Sequence, residues 1–237
     1  MKIMPMLLVG AFALTTGNLQ ASSGREDSIE RLRLSSETLH AMINAPDKGI
    51  PEEVLSNAKC IVVVPHLIKG GFVFGGEHGR GIATCRTAEG WSAPAFVSIG
   101  GGSWGLQIGV EGVDLVMLVM NDHGLQHLLS SKFEIGGDAS ASAGPVGRHA
   151  SAGTDWTMKT EVLTYSRSNG IFAGITLAGA VVEPDKDSTE AIYGRDPSFH
   201  AILSGKVHAP ESTQNFMRAI AETAHTSAVA EASPDQK

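Results

Sequence analysis

Three groups of residues have types and spacings that could do chemistry. Gly101-Gly102-Ser103-Trp104-Gly105 fits G-x-S-x-G, the turn that lifts a nucleophilic serine above the sheet of an α/β hydrolase. That turn must join a strand to a helix, whereas residues 106–110 read as another extended stretch. Gly100-x-Gly102-x-x-Gly105 also fits the dinucleotide fingerprint, which needs a following helix as well. Both patterns arise easily in a chain with 28 glycines among 237 residues, so Ser103 is kept only for an alternative hydrolase reading. His123 and His127 stand four apart on an expected helix and could face one metal, with Asp122 as a third ligand. The intervening Gly124-Leu125-Gln126 lacks a zincin's glutamate, and a solvated or capping pair is the preferred reading. Cys60 and Cys85 fall in strand-like stretches, where a cross-strand bridge and two separately buried thiols both fit. No catalytic residue, metal or cofactor is therefore expected.

Two segments suit a lipid surface instead. Leu67 and Ile68 flank Lys69 in a loop that could place apolar side chains among headgroups and a cation on phosphate. Arg80 and Arg86 on the next hairpin would add charge. In the helix expected over 26–45, Ile29, Leu32, Leu39 and Ile43 fall within about 80° of arc at the helical period. That stripe could lie on a bilayer or pack on the protein's own sheet. Packing is the simpler reading, because Arg25, Arg31 and Arg33 are outnumbered by Glu26, Asp27, Glu30 and Glu37.

Composition narrows the classes. The formal charge of −7 and 5% aromatic content argue against a general nucleic-acid binder, which needs clustered cations. The 42% hydrophobic and 18% charged residues exclude a disordered chain. Lys2, the apolar run 6–14 and the small Ala21 before Ser22 read as a secretory signal over 1–21, too short for a span of about 20 residues. A periplasmic or secreted location follows as an expectation.

Beyond it, 22–57 reads as a helical segment, with Pro46 ending the first helix and Pro51 opening a second. From position 60 the period changes to that of strands, expected at 60–64, 71–77, 81–86, 91–99, 106–110, 113–120, 133–143, 160–166 and 171–182. Short glycine-bearing connections imply antiparallel hairpins. Glycines inside strands imply sharp curvature. Helices are expected from Asn121-Asp122 to Ser131, near 187–193 and over 210–230, the last within a C-terminal tail 196–237. The fold class is α+β: one domain, a strongly curved, mostly antiparallel, barrel-like sheet with flanking helices.

Several runs together resemble the SYLF domain family. They are Ala58-Lys-Cys-Ile-Val-Val-Val-Pro65, Lys69-Gly-Gly-Phe-Val-Phe-Gly-Gly76, Gly90-Trp-Ser-Ala-Pro-Ala-Phe96, Gly105-Leu-Gln-Ile-Gly109, Asp138-Ala-Ser-Ala-Ser-Ala-Gly-Pro145 and YSRSNGIFAGITLAG from Tyr165. The resemblance spans roughly residues 28–195, with the β-rich core at 58–195. It implies a non-enzymatic lipid-binding module, since eukaryotic members bind phosphoinositides and fungal ones engage actin. For an exported chain, an anionic phospholipid surface is the expected partner, and an envelope protein is the alternative. The family has no established catalytic residues to carry over.

Overall fold

The run Ile61-Val62-Val63-Val64 is β-branched throughout and lacks a helical period, which suits a strand buried on both faces. In the computed structural model it lies at the centre of a ten-stranded sheet. The structure describes residues 17–45, 49–71, 74–104, 109–130, 132–146, 160–168, 171–173, 177 and 179–231. The apolar run 6–14 lies outside them.

The strands are β1 Cys60–Gly71, β2 Phe74–Thr87, β3 Gly90–Trp91, β4 Ala95–Trp104, β5 Gly109–Val119, β6 Phe133–Glu134, β7 Ala141–Ala143, β8 Val162–Ser168, β9 Ile171–Ala173 and β10 Val181–Pro184. They run in the order β6-β10-β4-β2-β1-β5-β8-β7, with β3 on β2 and β9 on β8. Pairing is antiparallel except between β7 and β8. The two edge strands, β6 and β7, belong to one stretch of chain, joined through a bridge from Ile135 to Ala139. One continuous segment thus reaches from one edge of the curled sheet to the other, giving the α+β, barrel-like architecture expected.

Alternation along each strand divides the core in two. Cys60, Val62, Val64, Ala83, Val97, Ile99, Leu115 and Met117 point to an inner face, which also packs Phe133, Ile135, Leu128 and Ile202. Ile61, Val63, Ile82, Phe96, Val116, Leu118, Leu163 and Tyr165 point to an outer face covered by helices. These are α1 Gly17–Ile43, α2 Glu52–Asn57, α4 Lys186–Tyr193 and α6 Gln214–Glu231; α3 Asp122–Leu129 and α5 Phe199–Leu203 complete the set. Leu39, Met42, Phe216 and Ile220 are wholly buried on the outer face. Each such side chain stabilises the fold by about 1.5–3 kcal/mol.

The structure corrects several strand limits. The expected turn at His78-Gly79 does not form, and one strand, β2, runs through both predicted segments. Gly109 and Val110, the described end of the stretch 106–110, likewise share β5 with residues 113–119, and 106–108 lie outside the described residues. Glycine, read as punctuation, here permits close packing. At Gly81 a Cβ would lie 2.3 Å from the Val63 carbonyl oxygen. Gly81→Ala is expected to cost about 1–3 kcal/mol through overpacking, measured as a fall in the urea midpoint at unchanged slope.

A second correction concerns residues 66–71. They are not a loop, because β1 continues through Pro65 to Gly71. Its pairing shifts register between Val64 and Leu67, where His66 adopts φ 61°. The extra residues change the parity of the strand. Val64 and Leu67 both face inward, so Ile68 faces outward.

Candidate functional site

The register shift disperses the five residues assigned to lipid contact. Leu67 is fully buried in the inner core. Lys69 also turns inward, and its ammonium lies 3.0 Å from the Glu77 carboxylate. Arg86 sits at the other end of β2, where it donates to the Ala58 and Leu55 carbonyls at 2.9 and 3.2 Å and stacks over Trp91. It closes the C-terminal end of α2. Only Ile68 and Arg80 share a surface.

The α1 stripe packs on the protein's own sheet, the simpler of its two readings, and does not present a face to a bilayer. Leu32 and Leu39 pack against the sheet, Ile43 is half-buried, and Ile29 alone is exposed. The helix is tied down by Arg31, which donates to Asp185 at 2.8 Å and stands over the Phe96 ring. A bilayer-facing stripe would require α1 to detach.

Among the described residues, none covers the far half of the outer face. A groove of about 310 Å³ runs there between α1 and the strands, lined by Asp27, Glu30, Arg31 and Leu34 on one side and His66, Ile68, His78 and Arg80 on the other. Ile68 opposes His78 on β2 and Gly112 on β5, while Val110 opposes Gly70. Ile68 and Val110 are therefore diagonal neighbours on one face. They are 48% and 81% exposed. Beside them Gly76, Gly100 and Gly102 pair across β2 and β4 or lie next to those pairs, leaving sheet surface without side chains. His66, His78 and Val110 were missed from sequence, because their common face depends on the shift at Pro65-His66.

The hydrolase elbow does not form. Ser103 lies within β4, in register with Gly75, and at Gly109, five residues after Trp104, the chain is again in a strand, β5. A second cleft, of about 470 Å³ beside α2, has Glu52 and Glu53 as its only ionisable lining residues among the described residues. Cys60 and Cys85 oppose each other in the β1–β2 register and are disulfide-bonded, with Cα atoms 4.0 Å apart. Asp122 does not join the two histidines; it pairs with Lys59 at 2.8 Å. Glu161 takes that place beside His123.

The glycine-rich outer end of the curled sheet, with its shallow groove, is the candidate surface, and neither cleft holds a nucleophile–base pair among the described residues. Residues 100–223 match the family model Ysc84, described as Las17-binding protein actin regulator. The chain belongs to this Ysc84, or SYLF, family. It is 35% identical over 175 residues to an SH3 domain-containing protein of Schizosaccharomyces pombe, covering 72% of this chain and 40% of that one. Protein YSC84 of Saccharomyces cerevisiae is 32% identical over 176 residues, covering 73% and 37%. The human SH3 domain-containing YSC84-like protein 1 is 32% identical over 175 residues, covering 73% and 51%. The chain thus spans about half or less of the length of these relatives.

Proposed function

We propose that this protein is a non-enzymatic module that docks on an anionic phospholipid surface of the cell envelope through the uncovered end of its outer sheet face. The observation that carries this reading is the exposure of Val110 and Ile68 side by side, next to Arg80. Apolar side chains on a smooth, glycine-rich surface can enter the headgroup layer while arginine meets phosphate. In the sequence, Phe72 and Val73 between β1 and β2 and Leu106 and Ile108 before β5 are apolar too. The Cys60–Cys85 bond supports an oxidising, exported location. Among the described residues no helix is long and apolar enough to cross a membrane.

The net charge of −7 disfavours a purely electrostatic attachment. Apolar contacts must then contribute most of the affinity, and salt should weaken it only in part. In co-sedimentation with anionic vesicles, the Ile68→Ser/Val110→Ser double variant is expected to bind at least roughly tenfold more weakly. Arg80→Ala is expected to lose about fivefold, near the 1 kcal/mol of a surface cation. All three residues are solvent-facing, so the variants should keep their unfolding midpoint. Absence of pelleting on every lipid composition would sink the proposal.

The name of the matching family favours a second reading, in which the same face binds a protein. A purified chain that ignores vesicles, yet forms a stoichiometric complex lost in the same double variant, would establish that reading instead.

A further inference from the structure

The histidine pair gains a third partner from a distant part of the chain. Asn121 caps α3 by accepting from the Gly124 amide at 2.9 Å, which starts the helix so that His123 and His127 follow on one face. Their rings lie 4.6 Å apart, edge to face. Glu161, one residue ahead of β8, is held against α3 because its carbonyl accepts from the Met120 amide at 2.8 Å. Gly124 permits this approach. A Cβ there would lie 3.0 Å from the Glu161 carbonyl oxygen and 3.1 Å from its Cβ.

The donor atoms are arranged for more than an ion pair. One carboxylate oxygen of Glu161 meets His123 Nδ1, and the other accepts from the Ser140 amide at 2.6 Å. The side chain of Glu161 is only 14% exposed. His127 Nε2 is shut off from solvent and has no hydrogen-bond partner among the described residues. A buried ring nitrogen without a partner costs about 1–3 kcal/mol unless something satisfies it. One donor atom from each of His123, His127 and Glu161 lies within 4.8 Å of the other two.

We propose that His123, His127 and Glu161 form a binding site for a divalent transition metal of the zinc type, which pins α3 to the start of β8. Two imidazoles and one carboxylate are a ligand set this ion accepts in tetrahedral geometry. The amide of Ser140 then serves as the outer partner that orients the ligating carboxylate. His123 is 66% exposed in its side chain, so the fourth position faces solvent. The site is thus open, unlike closed four-ligand structural sites, and lies on the inner-core helix rather than on the outer-face groove.

Equilibrium dialysis of the full chain against Zn²⁺, followed by Co²⁺ substitution, tests this. One ion per chain is expected, with the intense visible absorption of a four-coordinate Co²⁺ complex. Glu161→Gln and His127→Gln should each weaken binding at least tenfold. His123→Gln changes a mostly exposed side chain, so it reports on the metal even where the other two lower stability. His40→Ala, on α1 across the sheet from the triad, should bind normally. Wild-type chain without stoichiometric Zn²⁺, or undiminished binding in His123→Gln, would overturn the proposal and leave a histidine–carboxylate ion pair.

Discussion

Asp185→Ala is expected to lower the free energy of unfolding by about 3–5 kcal/mol, the usual cost of removing one member of a buried ion pair. The carboxylate joins two helices through three hydrogen bonds. It caps α4 by accepting from the Ser188 amide at 3.1 Å, accepts from the Ser188 hydroxyl at 2.8 Å, and receives the Arg31 guanidinium of α1 at 2.8 Å. The two charged side chains are 8% and 11% exposed. Without Asp185, Arg31 would remain charged against the Phe96 ring, having lost its hydrogen-bonded counter-ion and keeping only the weaker attraction of Asp27. Replacing Arg31 by methionine in the same molecule should recover part of the loss, because an apolar pair of similar volume needs no desolvation. Urea unfolding of both variants measures this, and a loss below about 1 kcal/mol for Asp185→Ala would contradict the assigned role.

The same pair predicts a pH dependence. Burial raises the Asp185 pKa, but the Ser188 and Arg31 hydrogen bonds prevail and leave it below the ordinary value. A depressed folded pKa means that the unfolded chain takes up the proton first. The contribution to stability is therefore complete above the unfolded value, near pH 4, and disappears as the pH falls through the folded one. Wild type should lose stability in that window, and Asp185→Ala should show a shallower acid limb. Coincident acid limbs would remove Asp185 from the explanation.

Replacing both Cys60 and Cys85 by alanine is the second large effect, expected at about 3–4 kcal/mol from the loop-closure entropy of a 25-residue separation. Because β1 and β2 pair in any case, the bond adds little to the folded state that register has not already arranged. Its main action is on the unfolded chain. Both cysteines are buried, at 0% and 1% exposure. Reductant should accordingly leave the bond intact in the native protein and cleave it once denaturant is added. Thermal or urea midpoints of the oxidised and double-alanine forms measure the difference, and equal midpoints would show that the bond contributes nothing. The bond lies toward the opposite end of β1 from Ile68, so a folded double-alanine protein should bind vesicles as before.

Much of the architecture was legible because it depends on local pattern. Ile61-Val62-Val63-Val64 has no reading but a buried strand, the stripe with Leu32 and Leu39 has a helical period, and Pro46 and Pro51 punctuate the helices. Glycine was harder to interpret. Gly79 and Gly81 look like turn residues in isolation, yet they lie inside β2 where neighbouring chain comes too close for a Cβ. Local sequence cannot distinguish a glycine that bends the chain from one that lets another strand approach.

Sequence by itself determined the elements and their order, the family, and which two cysteines were available to bond, since each follows from residue type at short range. Tertiary structure alone decided where the side chains point and whom they meet. A register shift at Pro65-His66 sends Leu67 and Lys69 inward and Ile68 outward, and the sheet brings Glu161 to a histidine 38 positions earlier. The reason is physical: strand parity and contacts between distant residues depend on pairing across the whole sheet, and no short stretch of the chain contains that information.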